Sequence, residues 1–251
     1  MKKFIPLIAL CLFLTSCGGK SGSDAATSTS PVAGPTWEWQ PCTVLSDELV
    51  SACGMDSLFA CLPIDDTLFA RISGRSWRAD CPLSRDALLY LRLLHRNAEG
   101  QAQTGEMIVN RDIAQACLRI FRALFEADYR IERIALVDEY GADDEQVMTA
   151  NVTSCFNFRY MTGSTTKISK HGLGLAIDLN PLYNPYVKRR ADGSLYVEPE
   201  AGRPFAEKRE SRDDIPYKID ENDLAYRLFV EEGFEWGGAW KSCQDYQHFE
   251  K

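Results

Sequence analysis

The spacing of apolar residues along the chain predicts three helices. The first is capped by Ser84 and ends before Gly100, the second begins at the cap Asn110, and the third runs from the cap Asn222 to Gly233. In each segment apolar residues recur at the period of a helix that buries one face. These residues are Leu88, Leu91 and Leu94 in the first segment, Ile113, Ala114, Cys117, Ile120, Phe121, Leu124 and Phe125 in the second, and Leu224, Leu228 and Phe229 in the third.

Alternation of apolar and polar residues predicts strands over residues 131–137, 175–180 and 234–236. In the second of these, Leu175, Ile177 and Leu179 alternate with Ala176, Asp178 and Asn180. Asp178 is therefore expected on the face opposite the aliphatic residues, where the small side chain of Ala176 leaves room for an ion. Gly172 and Gly174 allow a turn before this strand, so His171 and Asp178 can face one point.

The first 36 residues have the composition of a signal and a tether. Lys2 and Lys3 precede the apolar stretch 4–14, which has the length of a signal peptide and is too short to span a membrane. The stretch ends in Leu14-Thr-Ser-Cys17-Gly-Gly, which resembles the lipobox of bacterial lipoproteins. The resemblance implies that residues 1–16 are removed and that Cys17 is lipidated. An ordinary secretory signal is the alternative. Residues 17–36, rich in Gly, Ser, Ala, Thr and Pro, are expected to form a flexible tether.

Composition and charge narrow the class of protein. The chain has 251 residues, 45% hydrophobic and 11% aromatic, enough for one catalytic domain with additions. Removal of residues 1–16 takes away two lysines and changes the formal net charge from −8 to −10. Nucleic acids and anionic membranes bind clustered Lys and Arg, so we predict no nucleic-acid partner and a membrane contact through the lipid at Cys17.

The cysteines favour an exported protein, in which disulfides can form. Cys42, Cys53, Cys61 and Cys81 are clustered, so residues 37–81 are predicted to be an irregular extension tied by disulfides, with three connectivities open. Reduced cysteines are the alternative. Cys117 lies in the second helical pattern and is predicted to be a buried thiol. Residues 82–251 form the predicted catalytic domain.

Two segments that contain two of the three histidines indicate a metal site. His171 and Asp178 belong to the first, and the pair Asp245-x2-His248 lies close to the end of the sequence. Two imidazoles and one carboxylate can hold Zn²⁺ with one position open for water, and a spare carboxylate can accept the proton of that water. Either segment alone is equally typical of a structural histidine or a turn-forming aspartate. Together they predict a hydrolase.

Three motifs carry a resemblance to a known family. They are Ser169-x-His171-x2-Gly174-x-Ala176-x-Asp178, Trp236-Gly-Gly-x-Trp240 and Asp245-x2-His248-Phe249. These motifs resemble the zinc peptidases of bacterial cell walls, which include vancomycin-resistance-type D-alanyl-D-alanine carboxypeptidases and phage L-alanyl-D-glutamate endopeptidases. The similarity extends from about Cys81 to the C-terminal motif. The endopeptidase branch fits better, because it also has Asp three residues before the last His.

The resemblance implies an α+β fold, with helices packed on a small, mainly antiparallel sheet that carries a single zinc site. It implies that zinc is bound by His171, Asp178 and His248. Asp245 would be the general base that deprotonates zinc-activated water and then protonates the leaving amine. Arg159 would bind substrate by polarising the scissile carbonyl and would stabilise the oxyanion. Ser169 would bind substrate or orient a neighbouring group.

The resemblance also bears on Cys155 and Cys243, which lie near Arg159 and Asp245 in the sequence. If those two residues converge on one site, their cysteines come within disulfide reach, and we predict a bridge between them. The alternative, Cys243 as a fourth zinc ligand, would close the open coordination position.

The sequence therefore predicts a zinc-dependent peptidase that hydrolyses a bond in the peptidoglycan stem peptide, with an L-alanyl-D-glutamate endopeptidase favoured. Its predicted location is the bacterial cell envelope, where the lipid at Cys17 would hold it near its substrate. The alternatives are a D-alanyl-D-alanine carboxypeptidase with the same site, or a catalytically inactive zinc domain that binds peptidoglycan or a partner protein.

Overall fold

The computed structural model describes residues 37–251 and has an α+β fold, as predicted. The predicted signal, Cys17 and the tether lie outside the described residues. The helices are α1 (Asp47–Cys53), α2 (Met55–Leu58), α3 (Asp66–Ile72), α4 (Ala114–Glu126), α5 (Asp144–Thr149), α6 (Arg203–Ala206) and α7 (Leu224–Glu231). None of these helices is long and apolar enough to cross a membrane.

The strands form small, mainly antiparallel sheets. They are β1 (Val44–Leu45), β2 (Ala60–Pro63), β3 (Leu88–Arg96), β4 (Ala102–Asn110), β5 (Arg133–Ile134), β6 (Val152–Thr153), β7 (Ala176–Asp178), β8 (Tyr186–Arg189), β9 (Leu195–Glu198), β10 (Glu235–Trp236), β11 (Gln244–Asp245) and β12 (His248–Glu250). The sheet orders are β1-β4-β3-β2, β10-β12-β7 and β11-β8-β9. β5 and β6 form a parallel pair. Helix α4 packs against β3 and buries the main core between them.

The segment predicted as the first helix is a strand. β3 pairs with β4 along its whole length, and Ser84 precedes only a short 3₁₀ turn. Both faces of β3 are buried, because Leu91 and Leu93 lie in the core with α4 while Leu88 and Tyr90 lie in a second apolar cluster. A strand covered on both faces has an almost continuous apolar run, and such a run also contains helical spacings. The helix prediction was wrong for this reason.

The other two predicted helices are present, with different caps. Helix α4 begins at Ala114, whereas Asn110 is the last residue of β4 and its side-chain amide donates to the Leu173 carbonyl at 2.9 Å. Helix α7 is capped by Asp223, whose carboxylate accepts from the Ala225 N–H at 2.8 Å. Polar residues at strand ends and at helix caps look alike in sequence because both satisfy unpaired backbone groups.

Each predicted strand is present in shortened form, as β5, β7 and β10. β5 is the shortest relative to its prediction, since the chain turns into a 3₁₀ helix at Val137. Cys117 is buried in the core, as predicted.

The segment 37–81 contains no disulfide, contrary to the prediction, and all seven cysteines within residues 37–251 are free. Strands β1 and β2 instead pair with β4 and β3 at the two edges of the largest sheet. Backbone hydrogen bonds and apolar packing therefore attach this segment without covalent bridges. The boundary between residues 81 and 82 stays a prediction.

Candidate metal centre

The candidate centre is built on the three-stranded sheet β10-β12-β7. Asp178 at the end of β7 pairs in register with His248 at the start of β12. Because paired residues on antiparallel strands project their side chains to the same face, the sheet itself brings the Asp178 carboxylate beside the His248 ring. Their Oδ1 and Nδ1 atoms lie 3.1 Å apart.

His171 reaches the same point from the 3₁₀ turn His171–Leu173 that precedes β7. Ser169 holds this turn, because its hydroxyl accepts the Gly172 N–H at 2.9 Å. Gly174 ends the turn with a φ of +68°, and a Cβ there would lie 2.8 Å from the Asn110 backbone nitrogen. The close approach of β4 and the positive φ both require glycine. The end of β4 therefore positions the turn that carries His171.

The three side chains have the spacing of zinc ligands. His171 Nε2 lies 3.2 Å from His248 Nδ1 and 3.2 Å from Asp178 Oδ2. Two ligands bound to zinc at about 2.0 Å and at tetrahedral angles are themselves about 3.3 Å apart. Within residues 37–251 these three residues are the group of His, Cys, Asp and Glu side chains whose donor atoms meet closely enough to hold a metal ion.

Hydrogen bonds on the far side of each ring orient the free lone pairs. His171 Nδ1 lies 2.8 Å from the Cys155 carbonyl oxygen, which can only accept, so Nδ1 carries the proton and Nε2 is free. His248 Nε2 lies 3.1 Å from the Glu250 carboxylate, an arrangement that leaves its Nδ1 free. The two free nitrogens and the Asp178 oxygens face one point. Partners of this kind fix the tautomer and orientation of metal-binding histidines.

The charge around the centre favours a cation. Burial alone would raise the pKa of Asp178, but the His171 and His248 rings hold it well below its usual range. Burial alone would lower the pKa of His248, but hydrogen bonds to Asp178 and Glu250 and the charge of Asp245 raise it to about 10. Three carboxylates thus surround one imidazole, and a divalent ion would balance their charge. The donor set fits zinc.

Asp245 stands beside the centre without joining the group of three. It ends β11, and its Oδ2 lies 3.9 Å from His248 Nδ1. Burial, followed by the nearby Asp178 charge, raises the pKa of Asp245 to about 6, although the His248 ring opposes this shift. A Cβ at Gly237 would lie 2.8 Å from the Asp245 carbonyl oxygen, so only glycine lets this turn approach the base so closely. A carboxyl group with a pKa near neutrality can accept and return a proton.

Arg159 lies beside the turn that carries His171, through its backbone. Its carbonyl accepts the Ser169 N–H at 3.0 Å. Its Nε donates to Asp144 at the start of α5, and the Asn157 amide donates to the same carboxylate at 2.8 Å. The terminal guanidinium nitrogens make no hydrogen bond to any residue between 37 and 251. Asp144 therefore binds the Nε of the Arg159 guanidinium, and the two terminal nitrogens have no hydrogen-bond partner among the described residues.

The predicted Cys155–Cys243 disulfide is absent, since both thiols are free. The Cys155 side chain is buried in the apolar core, and it is its backbone carbonyl that faces the centre through His171. Cys243 is half-buried, with Sγ 3.8 Å from the Ser242 hydroxyl. The prediction was wrong because the Cys155 side chain packs into the core and only its backbone reaches the centre.

Sequence reasoning missed three residues of this centre. Glu250 could have been found from the alternation in β12, which places it on the same face as His248. Asp144 and Asn110 lie far away along the chain and carry no local signal. Ser169 was predicted to bind substrate or to orient a neighbour, and its hydroxyl lies within the His171 turn.

Comparison with known proteins agrees with this geometry. Residues 162–251 match the model of a family described as D-alanyl-D-alanine carboxypeptidase. The match includes His171, Asp178, Asp245 and His248, and it confirms the family resemblance that the sequence motifs indicate. No curated protein and no solved structure is similar enough to the chain to count as a match.

Proposed function

We propose that this protein, whose residues 162–251 match the model of a family described as D-alanyl-D-alanine carboxypeptidase, is a zinc-dependent peptidase of the bacterial cell envelope. One observation carries the proposal. Three lone-pair donors meet at the mutual distances of zinc ligands, and a separate, partly buried carboxyl group with a raised pKa lies beside them. A structural zinc site is closed by four protein ligands, whereas here three donor groups meet and Asp245 stays outside the set, which leaves one coordination position open for water.

His171, Asp178 and His248 would hold the ion. When bound, zinc supplies Lewis acidity, which polarises a carbonyl oxygen and makes water easier to deprotonate. Asp245 would accept the proton of the attacking water at its carboxylate and then deliver it to the nitrogen of the leaving amine. Burial raises the pKa of Asp245, which makes its carboxylate a stronger proton acceptor than an exposed aspartate.

Arg159 would bind the scissile carbonyl. Its unpaired guanidinium fork can donate to an oxygen that gains negative charge as the bond breaks. Asp144 would act as the positioning residue, since its carboxylate accepts from Arg159 Nε. Ser169 would support catalysis by keeping the His171 turn in place, as its hydrogen bond to Gly172 indicates.

The proposed substrate is the peptide stem of peptidoglycan. We favour hydrolysis of the L-alanyl-D-glutamate bond, because Asp245 rather than Glu precedes the last histidine by three residues. Removal of a terminal D-alanine is the second candidate, and the description of the matching family favours it. Lipidation of Cys17, followed by a tether at 17–36, would keep the domain at 82–251 close to the wall.

The test is digestion of purified disaccharide-peptides by the mature protein, with product masses read with zinc and with a chelator. New amino termini at D-glutamate would identify the endopeptidase, and loss of one terminal alanine would identify the carboxypeptidase. Product formation that survives complete zinc removal would refute zinc dependence.

Asp245→Asn provides the matched test of the base. It should abolish product formation while zinc still binds, whereas Asp213→Asn, at an exposed position, should have no effect. Binding of wall fragments without turnover by the wild-type, zinc-loaded protein would instead indicate an inactive binding domain.

A further inference from the structure

A cavity lies on the largest sheet, separate from the metal centre. It has a volume of about 460 Å³, within the usual range for small-molecule sites. Its wall combines the chain around Trp39, the end of β2 with α3, and the middle of the β3–β4 hairpin. None of its lining residues belongs to the metal centre. We refer to it as the Trp39–Arg92 cavity.

One side of this cavity carries a fully paired charge network. Glu106 is 1% exposed, and its carboxylate accepts from the Tyr90 hydroxyl at 2.8 Å and from both terminal nitrogens of Arg71. Arg71 also pairs with Glu139 at 2.8 Å. The Glu106 charge is therefore neutralised within the wall and would not repel an anion strongly.

The other side carries donors without acceptors. The Arg92 guanidinium lies over the Trp39 ring, 5.3 Å from its centroid. Arg92 Nε and Trp39 Nε1 are both buried, and neither has a hydrogen-bond partner among residues 37–251. Arg92 also has no carboxylate within ion-pair distance in that part of the chain. Buried N–H groups are nearly always paired, so these two donors leave the wall with unused hydrogen-bonding capacity, and the half-buried Arg92 side chain lines the cavity.

We propose that the Trp39–Arg92 cavity binds a small organic carboxylate with an apolar body. A carboxylate can accept two hydrogen bonds from the Arg92 guanidinium, whereas a neutral amide oxygen would bind there less strongly. Leu62, Leu68 and the proline side chains of the wall would contact the apolar part of the ligand.

The acidic residues of the wall do not cancel this preference. Asp65 is exposed, and its carboxylate caps α3 by accepting the Leu68 N–H at 2.8 Å. Glu106 is paired with Arg71, so Arg92 is the cation of the wall without an ion-pair partner in the described chain. The charges of Asp65, Arg71, Arg92 and Glu106 sum to zero, so the attraction for an anion is local to the Arg92 guanidinium.

The experiment follows the indole N–H signals of the ¹⁵N-labelled mature protein while 3-phenylpropanoate is added. The chain has 5 tryptophans, and Trp39→Phe assigns the relevant signal. We expect this signal to shift saturably, and the affinity to fall at least roughly tenfold in Arg92→Gln and for the neutral probe 3-phenylpropanamide. Arg85→Gln is the matched control, since Arg85 also stacks on a ring, 4.1 Å from the Phe69 centroid, but does not line the cavity.

A Trp39 signal that does not move, or equal affinities for the acid and the amide, would overturn the proposal. Equal affinities of the wild type and Arg92→Gln would do the same. If Arg92→Gln fails to fold, the comparison of acid and amide on the wild type decides alone. His171→Ala should leave binding intact, and loss of binding there would assign the probe to the metal centre instead.

Discussion

The third histidine, His95, predicts how the stability of the fold depends on pH. His95 is 1% exposed on β3, and its Nδ1 lies 2.7 Å from the Ile131 carbonyl oxygen. Its Nε2 is buried and has no hydrogen-bond partner in the described chain. Burial lowers the pKa of His95 from 6.5 to about 4, because a second ring proton would have no acceptor there.

The size of the stability loss at low pH follows from proton linkage. The unfolded chain takes up a proton on His95 below about pH 6.5, whereas the folded protein does so only below about pH 4. Stability from the neutral ring is therefore complete above pH 6.5 and is lost as the pH falls. The full difference between the folded and unfolded states corresponds to about 3 kcal/mol, of which about 2 kcal/mol is lost between pH 7 and pH 5.

The assay is urea unfolding of wild type and His95→Asn, in a chelator, at both pH values. Asn keeps a donor close to the position of Nδ1 but does not titrate. The other titratable groups are common to both proteins, so they cancel in the difference between the two. We expect the stability advantage of the wild type to shrink by about 2 kcal/mol at the lower pH. An advantage that stays constant would show that His95 is not held neutral by burial.

Three further predictions concern the candidate centre. Only the ionised carboxylate of Asp245 accepts a proton, so kcat/KM should fall as the pH decreases through the pKa of Asp245. This pKa is about 6 without zinc and lower once a cation is bound. A kcat/KM that is flat across this range would exclude Asp245 as the base. Glu250→Leu removes the acceptor of His248 Nε2 and should weaken zinc binding roughly tenfold in a competition titration, whereas Glu250→Gln should retain most of the affinity. Gly174→Ala should destabilise the fold by more than about 1 kcal/mol in thermal unfolding, because it combines a positive φ with a backbone clash. Gly193→Ala, at a φ of +84° with open space around it, is the control and should cost less.

Local patterns predicted those elements whose burial is one-sided. Helix α4 has one apolar face against β3, so its period is visible in the sequence. β3 is covered on both faces, and its leucine-rich run has no clear period. The distinction depends on what packs against the second face, which the residues of β3 themselves do not encode.

The cysteines also show what local sequence predicts and what packing decides. Their number and clustering indicate that an exported chain could form bridges, and Cys117 was correctly predicted to be buried. Whether two thiols meet depends on which side of the backbone each one faces. Cys155 faces the core while its carbonyl faces His171, and no local spacing records that choice.

For the candidate centre, the sequence by itself determined the chemical groups, namely two imidazoles, two aspartates and the small residues that let them approach. These depend on residue type and on short-range turns such as the one ended by Gly174. Only the tertiary structure decided that the donor atoms of His171, Asp178 and His248 lie 3.1–3.2 Å apart. It also decided that Glu250 orients His248 and that Asp144 orients Arg159. The physical reason is that Asp178 and His248 meet through the register of β7 and β12, strands far apart along the chain, and packing of the whole domain sets that register.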